Sequence, residues 1–144
     1  MKNNRKNNKI MKCPYCGRTA VLRDGSYVYG EKSRVDKLYV CSNYPECNAY
    51  VGVIPSTNIP KGTLADSELR NKRIKAHRAF DEIWKNKIMT RNEAYNWMKF
   101  QFGLTGEQAH IGNFSDYMCQ KLIEESRIII DNYKKGREQY EIYS

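Results

Sequence analysis

Aromatic residues other than tyrosine are missing from the first 62 positions of this chain: all four Phe and both Trp come later, while six of the eleven Tyr come earlier. No apolar run approaches the ~18–20 residues of a membrane span, so no transmembrane helix is expected. Histidine is scarce, at two residues, and there is no paired-carboxylate motif, phosphate-binding glycine loop or nucleophile elbow. The commonest signatures of a catalytic centre are therefore absent. Acidic residues are absent from residues 1–12, which carry five positive charges (Lys2, Arg5, Lys6, Lys9, Lys12) and no apolar core. That stretch reads as a disordered basic tail, not a secretory signal. Without export the cysteines stay reduced, and the expected location is the cytoplasm.

What is present falls into two parts. Residues 13–54 hold four of the five cysteines and short β-branched or aromatic segments at Thr19–Leu22, Tyr27–Gly30, Lys37–Val40 and Ala49–Val53. Turn residues such as Asp24-Gly25 separate them, so all four read as strands. A breaker-rich connector spans 55–63. Residues 64–137 read as helical. Leu69, Arg73, Ala76, Phe80, Ile83, Trp84 and Lys87 follow a three–four spacing, which lines the apolar members along one stripe. Thr90-Arg91-Asn92-Glu93 is a capping box for a second helix through Ala94, Tyr95, Trp97 and Met98. Ser115 caps a third, with Met118, Leu122, Ile129 and Tyr133 inward, ending near Gly136 and leaving a tail at 138–144. The expected class is α+β, a small ribbon of antiparallel strands followed by three helices. Phe80, Trp84, Trp97, Phe100, Phe102 and Phe114 supply the helical part with a core.

The ribbon has no such supply. A segment of about 50 residues with short strands and only tyrosines for aromatics buries too little apolar area to offset its chain entropy. Its cysteines offer the remedy. Cys13-x2-Cys16 and Cys41-x5-Cys47 form two knuckles, each presenting two thiolates, and together they make a Cys₄ set for one structural zinc ion. A closed shell of four protein ligands leaves no position for water or substrate. A disulfide or redox reading of Cys13 and Cys16 is the alternative, although no βαβ pattern surrounds them. Cys119 stands alone on the third helix and is expected as a buried core residue.

Cys13-Pro14-Tyr15-Cys16-Gly17 followed by Cys41-Ser42-Asn43-Tyr44-Pro45-Glu46-Cys47 resembles the C-terminal zinc ribbons of bacterial type IA DNA topoisomerases. The resemblance covers roughly residues 11–53. It implies non-catalytic binding of single-stranded DNA and contact with other proteins. Two departures stand out: a longer stretch between the knuckles, owed to Tyr29–Asp36, and Val40 where a Gly often precedes the third cysteine. The whole chain is similar to a zinc-finger-containing family of bacteria and their phages. Gly62–Asp66, Ala76–Asp81, Ala94–Trp97 and His110–Gly112 carry that likeness, which brings no established activity.

Charge points to a partner. The net charge is +9, and residues 70–99 hold nine basic against three acidic residues, while 100–144 hold five against seven. Such asymmetry suits a polyanion. The expected module binds nucleic acid, single-stranded DNA in preference, with phosphates on Arg70, Lys72, Arg73, Lys75 and Arg78 and bases stacked on Tyr39 and Tyr44. The plainer readings are that these cations solvate a helix face and that these tyrosines form the ribbon's modest core. A protein-interaction or inhibitor module acting on a host enzyme is the alternative function. A nuclease is a third, in which His77 and Asp81, one helical turn apart, with His110 would bind a catalytic metal or serve acid–base chemistry; the plainer reading pairs His77 with Asp81 and has His110 tie a loop to the core. No membrane partner and no small-molecule substrate is expected.

Overall fold

A computed structural model describes the backbone of residues 11–143 and the side chains of residues 11–138. The basic tail expected at 1–12 therefore lies outside the described residues except for Met11 and Lys12. Two compact units divide the chain between Glu68 and Leu69. The architecture is α+β, a small antiparallel sheet followed by helices.

In the first unit, β1 (Ala20–Asp24), β2 (Lys37–Cys41) and β3 (Tyr50–Gly52) form one sheet in the order β1-β2-β3. Val21 opposes Val40, which opposes Tyr50; Leu22 opposes Tyr39, which opposes Val51. Because side chains alternate across a strand, these two rows lie on opposite faces. Tyr39 and Val51 pack with Ala20 and Met11 on a buried cluster of Cys13, Cys41, Ala49 and Leu64. On the other face, Leu38 and Val40 are buried as well, so the central strand is covered on both sides.

The segment Tyr27–Gly30, expected as a strand, is instead the helical turn α1 (Ser26–Tyr29). The Gly25 carbonyl accepts hydrogen bonds from the N–H groups of Val28 and Tyr29, and Gly30, at φ 82°, ends the turn. Four aromatic and β-branched residues are too short a pattern to enforce extension against that local bonding. Nor is Asp24-Gly25 a hairpin turn. The chain leaves the sheet there and returns only when Gly25 N–H donates to the Asp36 carbonyl at 2.8 Å. Gly25 is required at this crossing, since a Cβ on it would run into the Val35 carbonyl oxygen.

The connector expected at 55–63 folds back on the sheet, with bridges pairing Val53 with Pro60 and Tyr50 with Ala65. Leu64 and Ala65 are buried, Leu64 in the ribbon's own cluster. The ribbon thus continues past the expected start of the helical part at residue 64. A two-residue apolar stub is too short to reveal by periodicity which side it joins.

The second unit is built from α2 (Ser67–Lys85), α3 (Arg91–Phe102) and α4 (Asp116–Tyr143), with a 3₁₀ turn at Ile111–Asn113. On α2 the buried residues are Arg73, Ala76, Phe80 and Ile83, an i, i+3, i+7, i+10 stripe. Ala76, Phe80 and Ile83 meet Ala94 and Met98 of α3, Ala109, Ile111 and Phe114 of the loop, and Cys119, Leu122, Ile123 and Ile130 of α4. Phe80 and Tyr95 pack edge-to-face with ring centroids 5.0 Å apart. Thr90 and Glu93 make both bonds of the expected capping box, and Gly103, at φ 62°, closes α3 by donating to the Lys99 and Phe100 carbonyls.

Three expectations fail here, one of them Tyr133 of α4, expected inward but exposed. Phe100, counted as core, is 88% exposed. It lies two residues beyond Met98, about 200° round the helix from the buried face. Helix α4 does not stop near Gly136 but runs to Tyr143, so the expected tail at 138–144 is helical as far as that residue. Gly136 is not in the left-handed conformation that caps a helix, and inside a helix a Gly is only about 1 kcal/mol worse than Ala.

Phe80→Ala is expected to destabilise the helical unit by about 3–5 kcal/mol, because it opens a cavity in a fully buried site. Phe100→Ala should change stability by less than about 0.5 kcal/mol. Denaturant melts followed by circular dichroism read both.

Candidate zinc centre and cationic surface

The four ribbon cysteines come from two turns that the backbone shapes closely. In the first, Gly17 N–H bonds the Cys13 carbonyl at 2.9 Å and Cys13 N–H bonds the Arg18 carbonyl at 2.8 Å. Gly17 takes φ 74°, the left-handed conformation that glycine adopts without strain. In the second, Tyr44 N–H donates to the Cys41 carbonyl and Cys47 N–H to the Asn43 carbonyl, both at 3.0 Å. The Tyr44–Pro45 bond within it is cis. Strand β2 delivers Cys41 at its end.

The sulfurs converge. Cys13 and Cys47 Sγ are 3.6 Å apart, Cys16 and Cys41 Sγ are 3.4 Å apart, and all four lie within 4.8 Å of one another. A tetrahedron with Zn–S bonds of about 2.3 Å has S–S edges of about 3.8 Å, so the observed spacing fits one zinc ion. All five cysteines of the chain are free thiols, which leaves the disulfide alternative unused. Among the described residues, these four are the one group of three or more His, Cys, Asp or Glu close enough to hold a metal.

Backbone N–H groups are aimed at the sulfurs. Asn43 N–H reaches Cys41 Sγ at 3.4 Å, Arg18 N–H bonds Cys16, and Ala49 N–H bonds Cys47. Each donor favours the thiolate that zinc requires. On exposed Cys16 the Arg18 N–H, helped by the Cys41 side chain, lowers the thiol pKa. At Cys41, only 2% exposed, burial outweighs the Asn43 donor and pushes the metal-free thiol up to about 12. Burial raises Cys47 too.

The four cysteines form a Cys₄ zinc site. When bound, zinc supplies a cross-link and no reactive position, because all four ligands belong to the protein. Cys119 takes no part; it is fully buried in the helical core, as its isolation in the sequence implied, and burial raises its thiol to about 11.

The residues expected to meet nucleic acid separate into used and available. Arg73 is not on the surface: it is 9% exposed, and its Nε donates to the Phe114 carbonyl at 3.1 Å. It sits on the apolar stripe because an arginine stem packs like a hydrophobe while its head finds a carbonyl. Arg70 is half-buried. Tyr39 is likewise committed, its ring packed on the ribbon cluster and its hydroxyl donating to the Asn58 carbonyl at 2.6 Å. Tyr44 belongs to a different group. Its ring lies 5.7 Å from that of Tyr27 and 6.5 Å from that of Tyr50, and Tyr50 meets Tyr29 edge-on at 5.9 Å. Tyr27 and Tyr29 are about half exposed, and the Arg23 guanidinium lies 4.7 Å above the Tyr27 ring. Tyr27 and Tyr29, expected on a strand, stand instead on the helical turn α1.

Lys72, Lys75 and Arg78 line a cleft of about 590 Å³ together with Arg127 and Lys134 of α4. The latter two were overlooked because the C-terminal third is slightly acidic in sum, although their seven-residue spacing already placed them on one helix face. His77 Nδ1 lies 3.5 Å from Asp81 Oδ2, and the other Asp81 oxygen accepts from Trp84 Nε1. His110 heads the 3₁₀ turn, its carbonyl accepting from Asn113 N–H.

Purified protein is expected to hold about one zinc per chain, and chelation should unfold the ribbon while α2–α4 keep their circular-dichroism signal. Cys41→Ser should abolish stoichiometric zinc, whereas Cys119→Ser should retain it; equal metal loss in both would contradict the site. Zinc binding should also release protons, since the Cys41 thiol at about 12 is protonated at neutral pH and must ionise to bind. Zinc affinity is therefore expected to rise with pH across the neutral range and to collapse in acid, which a chromogenic-chelator competition at several pH values measures.

No curated protein and no solved structure matches the chain. The profile of the zinc-finger-containing domain family matches residues 9–129. With the Cys₄ centre seated inside the matched span, the chain belongs to that family.

Proposed function

We propose that this zinc module binds single-stranded nucleic acid, DNA in preference, and does no chemistry on it. The observation that carries the reading is the tyrosine group on the ribbon: Tyr27, Tyr29, Tyr44 and Tyr50 in ring contact, with Tyr27 and Tyr29 half exposed and Arg23 over the Tyr27 ring. Exposed aromatic rings next to a guanidinium are what unpaired bases stack on, at ~1–3 kcal/mol per base. A duplex hides its base faces, so stacking selects single strands. The likeness of the second knuckle to the ribbons of type IA topoisomerases supports the same partner, as does the +9 net charge.

A specific observation favours a second reading, a protein-interaction module. Phe100 is 88% exposed and Tyr117 68%, and aromatic rings are among the side chains that protein interfaces are enriched in. A protein partner would bury them, and its binding would resist salt.

Anisotropy of a labelled oligo-dT of about 20 nucleotides at about 50 mM salt tests the first reading. Binding is expected, and Tyr27→Ala with Tyr29→Ala should weaken it by about tenfold or more through lost stacking. Circular dichroism and zinc content verify that the variant folds. Absence of binding by the unaltered protein would overturn the reading and leave the protein-interaction module in its place.

A further inference from the structure

The basic cleft of the helical unit is built by two segments distant in sequence. From α2 come Lys72, Lys75, Arg78, Ala79 and Glu82; from α4 come Gln120, Ile123, Arg127, Ile130, Asp131 and Lys134. The α2 positions 72, 75, 79 and 82 follow i, i+3, i+7, i+10, and the α4 positions 120, 123, 127, 130 and 134 repeat the pattern. Each set is one face of its helix, and the two faces share the cleft. Five cations therefore converge against two carboxylates.

A merely solvated basic face would spread its charges or pair them. Here none of the five cations makes an ion pair or hydrogen bond among the described residues. The nearest apolar residues strengthen the effect. Ile123 and Ile130 are buried, so the cleft has a low-dielectric floor, above which a phosphate feels the cations more strongly than it would in open solvent.

We infer that this cleft between α2 and α4 is a phosphodiester-backbone site, in which Lys72, Lys75, Arg78, Arg127 and Lys134 neutralise consecutive phosphates of a single strand. The inference rests on the nucleic-acid reading and deepens it, moving the expected phosphate contacts from Arg70 and Arg73 to Arg127 and Lys134. Lys and Arg aimed at phosphates carry no base preference, so the cleft supplies affinity and salt dependence but not sequence selection. DNA and RNA strands share the chemistry it recognises.

The test is the salt dependence of oligo-dT binding by the full chain. Arg127→Gln with Lys134→Gln removes two exposed α4 cations that lie outside the core. A ribbon control, Lys32→Gln with Lys61→Gln, removes the same charge elsewhere. On a single strand each phosphate contact contributes about 0.7 to the slope of log affinity against log salt, so the cleft pair should lower the slope by about 1.4 and affinity at about 50 mM by tenfold or more. Asp131→Asn, which removes a carboxylate from the same cleft, should raise affinity. Oligo-U should show the same loss of slope.

Equal slope changes in the cleft and ribbon pairs would mean diffuse attraction to a basic protein and would overturn the inference. So would an unchanged slope in the cleft pair, or weaker binding by Asp131→Asn. In those cases the unaltered protein still binds and the nucleic-acid reading stands. If the unaltered protein binds no oligonucleotide, that reading fails and the cleft inference fails with it.

Discussion

Three strands of three to five residues cannot hold themselves together in water, and the ribbon's buried cluster is too small to help much. It consists of Cys13, Cys41, Ala49 and Leu64 with partial cover from five neighbours. Half of its buried members are metal ligands. The four zinc–thiolate bonds are therefore the interaction on which the first unit depends. They join residues far apart in sequence, and at Cys41, whose ionisation burial opposes, they convert the thiol into a neutralised ligand. Tying β2 at Cys41 anchors the central strand of the sheet, on which Leu38 and Val40 are also buried.

The helical unit rests on different physics. Its core is a continuous set of apolar side chains from three helices and a loop, and its helix ends are closed locally by Thr90, Glu93, Ser115 and Gly103. One flaw is built into that core. The Ser126 hydroxyl is fully buried with no hydrogen-bond partner among the described residues, an arrangement that sacrifices some stability. The two units thus divide labour in energy as well as in sequence: one folds by metal, the other by packing.

What the sequence disclosed depended on the reach of its signals. Cysteine spacing is a long-range signal with chemical meaning, and it placed all four ligands. Helical periodicity placed Ala76, Phe80, Ile83 and Leu122 correctly, and the capping box at Thr90 was readable residue by residue. Failures came where a segment was short or a residue amphipathic. Tyr27–Gly30 carried strand-forming residues but too few of them, and Leu64-Ala65 carried no period. Arg73 counted as charge, although its stem packs and its head bonds the Phe114 carbonyl. The convergence of α2 and α4 cations on one cleft is tertiary information, available only when two helices are laid side by side.

Gly25 gives the ribbon a property of another kind. Its N–H closes the excursion between β1 and β2 by bonding the Asp36 carbonyl, and its missing Cβ lets the returning chain pass directly against it. The ends of that excursion are clamped while its middle faces solvent. For a clamped loop, doubling the length adds only about 0.6 kcal/mol of closure entropy. The solvent-facing stretch 30–34 can therefore change in length at little cost in closure entropy, whereas Tyr27 and Tyr29 are tied to Tyr44 and Tyr50 by ring contacts. The excursion thus tolerates changes of length at its tip while the metal knuckles hold the frame on either side of it.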